Sequence, residues 1–450
     1  VDVQAGERGF ANALVDGAIV SGAWNGSATI ESRRDDGWDA NDDFRQDAVS
    51  GGLSHGFGGG GSVGISARST AYELGIPFNT SADGSQLVPS PSRRQEGREL
   101  QIAVPIRDHI GTLGYELTLS QSSRDDDFSD PNDPFGFTTA TTESTTRRAQ
   151  LTAKQATAFG TVIVGAEYEQ AEVDDVSSYG VNLDDDRRTN RGLFVEDRAS
   201  FSAGSSRVEI AAGLRYDDFD TFGHQSSPRV AAAWLHGAHK VHASYGEGFR
   251  APSVGELYFP FSGNRDLEPE KSRSEELGYA WRSPNAAWDV TLFRSDFEDL
   301  IVFDNATFLF GNVKKASSEG VELSGRASLR AGLSAAIGYT YLHAEESGSG
   351  EPLLRRPRHS GSVRISYEDL RWGASLVVAH SGERDDLLPV FPYSRIITDG
   401  VTTVDATLAL DRGRIRPYIK VENATNESYE EVAGYHAPGR RAIVGLRYTQ

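Results

Sequence analysis

The hexapeptide Ser362-Val363-Arg364-Ile365-Ser366-Tyr367 decides the fold. Strand side chains alternate between two faces, so Val363, Ile365 and Tyr367 share one face and Ser362, Arg364 and Ser366 the other. One face suits lipid and the other water. The division recurs far away in the chain. Val162, Val164, Ala166 and Tyr168 alternate with Ile163, Gly165, Glu167 and Glu169, and Val404, Ala406, Leu408 and Leu410 alternate with Asp405, Thr407 and Ala409. About 22 such segments follow one another, which is how an all-β, single transmembrane antiparallel β-barrel reads.

The connections sort into two classes that take turns. Short ones fall at His109 to Gly111, Gly204 to Ser206, His236 to His239, Arg330 to Gly332 and Asp411 to Gly413, each with Gly or a polar residue where a tight reversal needs it. Long ones fall at Asp35 to Asp43, Gly75 to Gly97, Arg124 to Thr142, Asp174 to Asn190, Pro252 to Pro269, Glu345 to Pro352 and Glu383 to Gly400. In outer-membrane barrels the periplasmic turns are short and the extracellular loops long. The alternation therefore assigns a side to each connection and places both termini in the periplasm.

Composition narrows the class further. Hydrophobic residues make up 38% of the 450 and mean hydropathy is -0.44. A barrel strand needs apolar residues only at alternate positions over roughly 10 residues, so these values are compatible with the membrane. No stretch reaches the roughly 20 apolar residues of a spanning helix. The sequence has no cysteine, which excludes disulfides, thiolate metal sites and a cysteine nucleophile. A net charge of -20 and a pI of about 5.0 argue against nucleic acid as a partner, because phosphate binding needs clustered Lys and Arg. Methionine is absent and the chain opens Val1-Asp2-Val3, so the expectation is that a signal peptide has been removed.

Few residues suggest chemistry. His236, His239 and His242 straddle a tight turn into a strand, so the expectation is polar turn residues and no metal triplet. Gly58 to Gly61 lacks the Lys and Ser/Thr of a phosphate loop and reads as a periplasmic turn. No Ser, His and acid fall in a recognisable catalytic arrangement, so no catalytic residue is expected and the chain is not read as an enzyme. Trp288, Tyr367, Trp372 and Tyr418 fall near strand ends, where an aromatic girdle would lie. Tyr258, Phe259, Phe261, Phe391 and Tyr393 lie in long loops at the outer mouth and are the candidate ligand-binding residues.

The most distinctive run is Phe249-Arg250-Ala251-Pro252, Glu256-Leu257-Tyr258 and Gly263-Asn264-Arg265-Asp266-Leu267-Glu268-Pro269-Glu270-Lys271-Ser272. Pro252 cannot donate to a ladder, so the chain leaves the sheet there. This ordered run resembles the TonB-dependent outer-membrane receptors. Asn312, Ala316 and Gly320-Val321-Glu322-Leu323 match a second family segment, and Val421 to Tyr429 with Gly434, Tyr435, Pro438, Gly439 and Arg440 its C-terminal signature. Leu353 to Arg356, Pro392-Tyr393 and Tyr429 to Tyr435 are similar to the cobalamin (vitamin B12) receptors.

The resemblance implies uptake of a scarce nutrient, cobalamin in the first instance, energised through the TonB complex acting on a plug inside the barrel. Outer-membrane lipid and lipopolysaccharide would surround the wall. A siderophore or another TonB-dependent ligand is the alternative, and so is a passive pore or structural barrel without a plug. Residues 1–450 read as the barrel domain, with the plug and TonB box missing. No cofactor is required, although the resemblance implies a structural calcium at Asp39 and Asp42, in the stretch Asp39-Ala40-Asn41-Asp42-Asp43. Calcium takes six to eight oxygens, so a second loop must contribute, and Tyr72-Glu73-Leu74-Gly75 lacks the family's acidic cluster. The expected location is the outer membrane of a Gram-negative bacterium.

Overall fold

The computed structural model describes residues 1–304 and 307–450. Among these, 22 strands pair antiparallel into one sheet that closes on itself. The first strand, Asp2–Gly6, pairs on one side with Ala11–Ser21 and on the other with the last strand, Arg441–Tyr448. Closure removes the sheet edges, which is what allows strands to cross a bilayer.

Register explains why the alternation works as a wall. Leu53 stands opposite Ile65, Leu117 opposite Leu151, Val164 opposite Val195, Val195 opposite Leu214, Val363 opposite Val378, and Ile419 opposite Val444. These directly opposed residues share the outward face and form a continuous apolar belt. At its lower margin lie Trp24, Phe57, Phe201, Trp234, Trp288, Tyr367 and Trp372, all beside short turns. Such a ring of amphipathic aromatics marks a membrane interface. Tyr418 is the exception to the girdle expectation. Its neighbours Pro417 and Ile419 take the outward parity, so Tyr418 faces the lumen and donates its hydroxyl to Asp2 at 2.8 Å.

Periplasmic turns have two to four residues throughout, from residues 22–23 to 411–414, and His236 and His239 flank one of them. The three histidines do not converge: His236 Nδ1 meets Ser206, His239 Nδ1 meets Tyr279, and His242 Nε2 meets Asp289. Outer connections are long at residues 36–43, 76–93, 251–269, 347–358, 382–400 and 423–440.

Two expected loops are instead strands. Leu113–Ser129 pairs with Thr139–Ala156 across most of the span expected as a loop, and Gly160–Ser177 continues to the two-residue reversal before Gly180–Ala203. Above the membrane both faces of a strand meet water, so acids at every position are compatible with pairing. Their carboxylates are satisfied across strands: Thr141 donates to Asp127 at 2.6 Å, Thr142 to Asp175 at 2.5 Å, and Asn182 to Asp175 at 2.6 Å.

Candidate functional site

The lumen wall carries matched charge. Arg215 bridges Glu167 at 2.8 Å and Asp217 at 2.6 Å, Arg148 pairs with Glu169, and Glu196 lies between Arg198 and Arg229. Gly165 makes room for this wall, since a Cβ there would fall on the Phe194 ring. Hydrogen-bonded opposite charges offset the cost of packing ions against a wall.

On one side of the outer mouth the 251–269 loop folds as a built unit. Pro252 ends the strand His239–Arg250, and a short helix, Val254–Tyr258, follows. Ser253 caps it: the Glu256 amide donates to Ser253 Oγ at 3.2 Å, and the Ser253 amide donates to Glu256 Oε2 at 2.7 Å. This reciprocal arrangement satisfies two amide donors that a helix start leaves free. Arg250 then clamps both ends of the loop, donating to Glu256 at 3.0 Å and to Glu270 at 2.7 Å. Burial would raise the Glu256 carboxyl, but Arg250 and the Ser253 amide outweigh it and hold the group below its ordinary range.

Leu257, Leu267 and Ile301 form a buried cluster beneath, with Tyr258 and Phe310 packed against it. Asn312 stitches the loop to the wall by donating to the Glu268 and Asp299 carbonyls while accepting from the Glu268 amide. The distinctive motif is therefore a scaffold. Of the candidate rings on it, Tyr258 is half-buried under Arg265, whose guanidinium lies 4.9 Å from the ring centroid. Phe259 sits at the helix C-cap, and Phe261 is 97% exposed.

Phe391 and Tyr393 occupy a different place. They lie at the tip of the hairpin Arg384–Leu387/Arg395–Thr398, exposed, with ring centroids 6.4 Å apart and edge to face. Six strands separate this loop from the 251–269 loop along the wall, so the structure brings Phe391 and Tyr393 together but does not join them to Tyr258, Phe259 and Phe261.

A knot that sequence reading missed holds the 382–400 side. Asp386 has no exposed surface and accepts from Arg355 Nε at 2.9 Å, the Leu387 amide at 2.8 Å and the Ala433 amide at 2.9 Å. One carboxylate thus binds the 347–358, 382–400 and 423–440 loops. Burial opposes its charge, yet the two amides and Arg355 prevail and keep the carboxyl below its ordinary range. The 76–93 loop joins through the Phe391 amide, which donates to the Gly84 carbonyl at 2.8 Å, and through Phe78, whose ring is 5.8 Å from that of Tyr435.

The proposed calcium residues have protein neighbours of their own. Asp42 Oδ2 accepts from the Trp38 amide at 3.0 Å, closing its own loop, while Asp39 Oδ2 lies 3.7 Å from His436 Nδ1. Asn41 Nδ2 donates to three carbonyls, of Ile76, Ser90 and Arg93, and Asp43 pairs with Arg94 at 2.7 Å. Among the described residues no three His, Cys, Asp or Glu side chains gather to hold a metal ion.

Residues 3–423 match the family model described as TonB dependent receptor-like, beta-barrel. The chain belongs to that family. As a TonB-dependent receptor barrel it resides in the outer membrane of a Gram-negative bacterium, in a family of receptors and transporters. Its wall superposes on those of solved relatives with little sequence identity. The siderophore receptor PirA from Acinetobacter baumannii is 14% identical at a TM-score of 0.81, with 99% of this chain and 79% of that one covered. The FrpB iron transporter from Neisseria meningitidis is 13% identical at 0.82, covering 99% and 80%. The ferripyoverdine receptor of the Pseudomonas aeruginosa outer membrane, bound to ferripyoverdine, is 13% identical at 0.81, covering 99% and 71%.

The cobalamin-like stretch Tyr429 to Tyr435 has a structural account in this TonB-dependent receptor barrel. Glu430 offers its carbonyl to Arg384, Ala433 its amide to Asp386, and Gly434, at φ 84, packs on Leu87 and Pro389. The motif closes loops, a task separate from choosing a ligand.

Proposed function

We propose that this receptor takes up a ferric siderophore across the outer membrane, with energy supplied by TonB through a plug inside the barrel. The observation that carries the reading is whole-wall similarity to receptors described as binding siderophores or transporting iron, with nearly the entire chain superposed. This supports the siderophore alternative above cobalamin. In this reading Phe261, Phe391 and Tyr393 present exposed rings to the incoming chelate, with Phe259 beside them and Tyr258 supporting the loop. Aromatic faces supply large contact area at little conformational cost. The matched lumen charges offer the plug a hydrated, ion-pairing wall. A calcium ion at Asp39 and Asp42 is not required.

The test is uptake by cells producing the intact receptor, with and without functional TonB, using radiolabelled ferric hydroxamate, catecholate and carboxylate chelates beside labelled cobalamin. TonB-dependent accumulation of at least one iron chelate is expected. Uptake of cobalamin and of no iron chelate would overturn the reading.

A further inference from the structure

The hairpin Arg384–Leu387/Arg395–Thr398 buries one face, which carries Arg384, Asp386, Ile396 and Thr398. Two ions on that face, two residues apart, are treated differently. Asp386 is fully satisfied by one guanidinium and two amides. Arg384 is only 8% exposed, donates through Nη2 to the Glu430 carbonyl, and among the described residues has no carboxylate within ion-pair distance. Its Nη1 is out of solvent contact and has no hydrogen-bond partner. Directly across the hairpin, in register with it, stands Thr398, whose hydroxyl is likewise buried and without a partner.

Directly opposed residues of an antiparallel pair hold their Cβ atoms about 5 Å apart on one face. Two orphaned donors on one face, one of them on a buried cation, call for an acceptor that also brings negative charge. A carboxylate accepts from a guanidinium N–H and a hydroxyl at once, with charge-assisted bonds. A water could accept from both but would leave the charge unbalanced.

Location gives the acceptor its source. Arg384 holds the Glu430 carbonyl, in the 423–440 loop that follows the strand Ile415–Glu422. Asp405 sits on the lumen-facing parity of its strand, opposite to Val404 and Ala406, and accepts from the Asn423 amide at 2.9 Å. The orphaned pair therefore lies where the 382–400 hairpin meets the 423–440 loop, whose first residue is anchored to this lumen-facing carboxylate at the outer mouth. The same hairpin carries Phe391 and Tyr393 at its exposed tip, so a chelate held by those rings stands on the element that buries the guanidinium.

We propose that Arg384 and Thr398 form a binding point for an oxyanion of the transported ligand, a carboxylate by class. This rests on the siderophore reading and adds to it a preference for chelates bearing free carboxylates. Arg384 supplies charge and one N–H, and Thr398 supplies the hydroxyl that fixes the second oxygen.

The experiment is calorimetric titration of the purified intact receptor with ferric citrate, iron-free citrate and the cationic trihydroxamate chelate ferrioxamine B. Wild type is compared with Arg384→Gln, Arg384→Lys and Thr398→Val. Loss of a charge-assisted bond should weaken both citrate forms by about tenfold or more in Arg384→Gln and by roughly threefold to tenfold in Thr398→Val. Arg384→Lys should recover part of the loss, and any ferrioxamine binding should be unchanged. Citrate binding by Arg384→Gln equal to wild type would overturn the proposal and leave water as the occupant. Should that variant not fold, Arg384→Lys and Thr398→Val carry the comparison, and wild-type affinity in both would be equally fatal. Iron-free citrate binding that depends on Arg384, with no ferric chelate bound, would sink the siderophore reading and keep the anion site. Ferrioxamine binding with neither citrate form bound would do the reverse.

Discussion

The two built sides of the outer mouth are stabilised at different ranges. In the 251–269 loop, Arg250 reaches Glu256 and Glu270, six and 20 residues away, and Ser253 caps the helix through Glu256, three residues away. In the second cap, Asp386 reaches Arg355 and Ala433, 31 and 47 residues away, and the Asn41 amide bridges to carbonyls up to 52 residues distant. The first is a local unit with its own small core. The second is a junction of loops, each held by the others, with one buried carboxylate at the centre and one buried cation left open beside it.

If that contrast is real, breaking the junction should disturb several loops and breaking the local unit only one. Asp386→Asn is expected to have the largest effect. It leaves Arg355 without its charge partner and weakens both amide contacts, a loss of about 1 to 3 kcal/mol for a buried acceptor whose guanidinium partner is half-exposed. Hydrogen exchange should accelerate together in residues 382–400, 423–440 and 347–358, with 251–269 unchanged. Acceleration confined to one loop would refute the junction.

Acid should act on both sides. The Asp386 and Glu256 carboxyls are each held below their ordinary values. Their contributions are therefore complete above the unfolded carboxylate range, about pH 4, and fade as pH falls through the folded values. Limited proteolysis of the outer loops should be flat from pH 6 to 8 and rise only in strong acid. Loops that open between pH 6 and 8 would contradict this ordering.

Ser253→Ala should give the smallest effect. Losing the cap costs about 1 kcal/mol and should be confined to helix Val254–Tyr258, because Arg250 still closes the loop. Spread of exchange into the second cap would show that the two sides are coupled after all.

Both candidate sets bear on what was readable. Phe391 and Tyr393 could be placed in an outer loop from alternation alone, and the structure pairs them on one hairpin tip. Tyr258 was legible as a loop aromatic but not as part of a buried cluster, since Ile301 and Phe310 arrive from other strands. The 423–440 loop was read only as a motif, because its partners on 347–358 and 382–400 lie beyond any local pattern. Asp174 to Asn190 was misread as loop because acid density signals solvent, and solvent does not forbid a paired strand.

By itself the sequence determined the barrel, its polarity and its family, since period-two alternation, turn chemistry and an ordered motif run are local properties. It also marked which connections project outward. Only the tertiary structure decided which loops meet, that Tyr418 turns inward, and that Arg384 is buried opposite Thr398 without an acceptor. Those facts depend on cross-strand register and on contacts between distant loops, and a linear pattern specifies a side chain's face without specifying what stands against it.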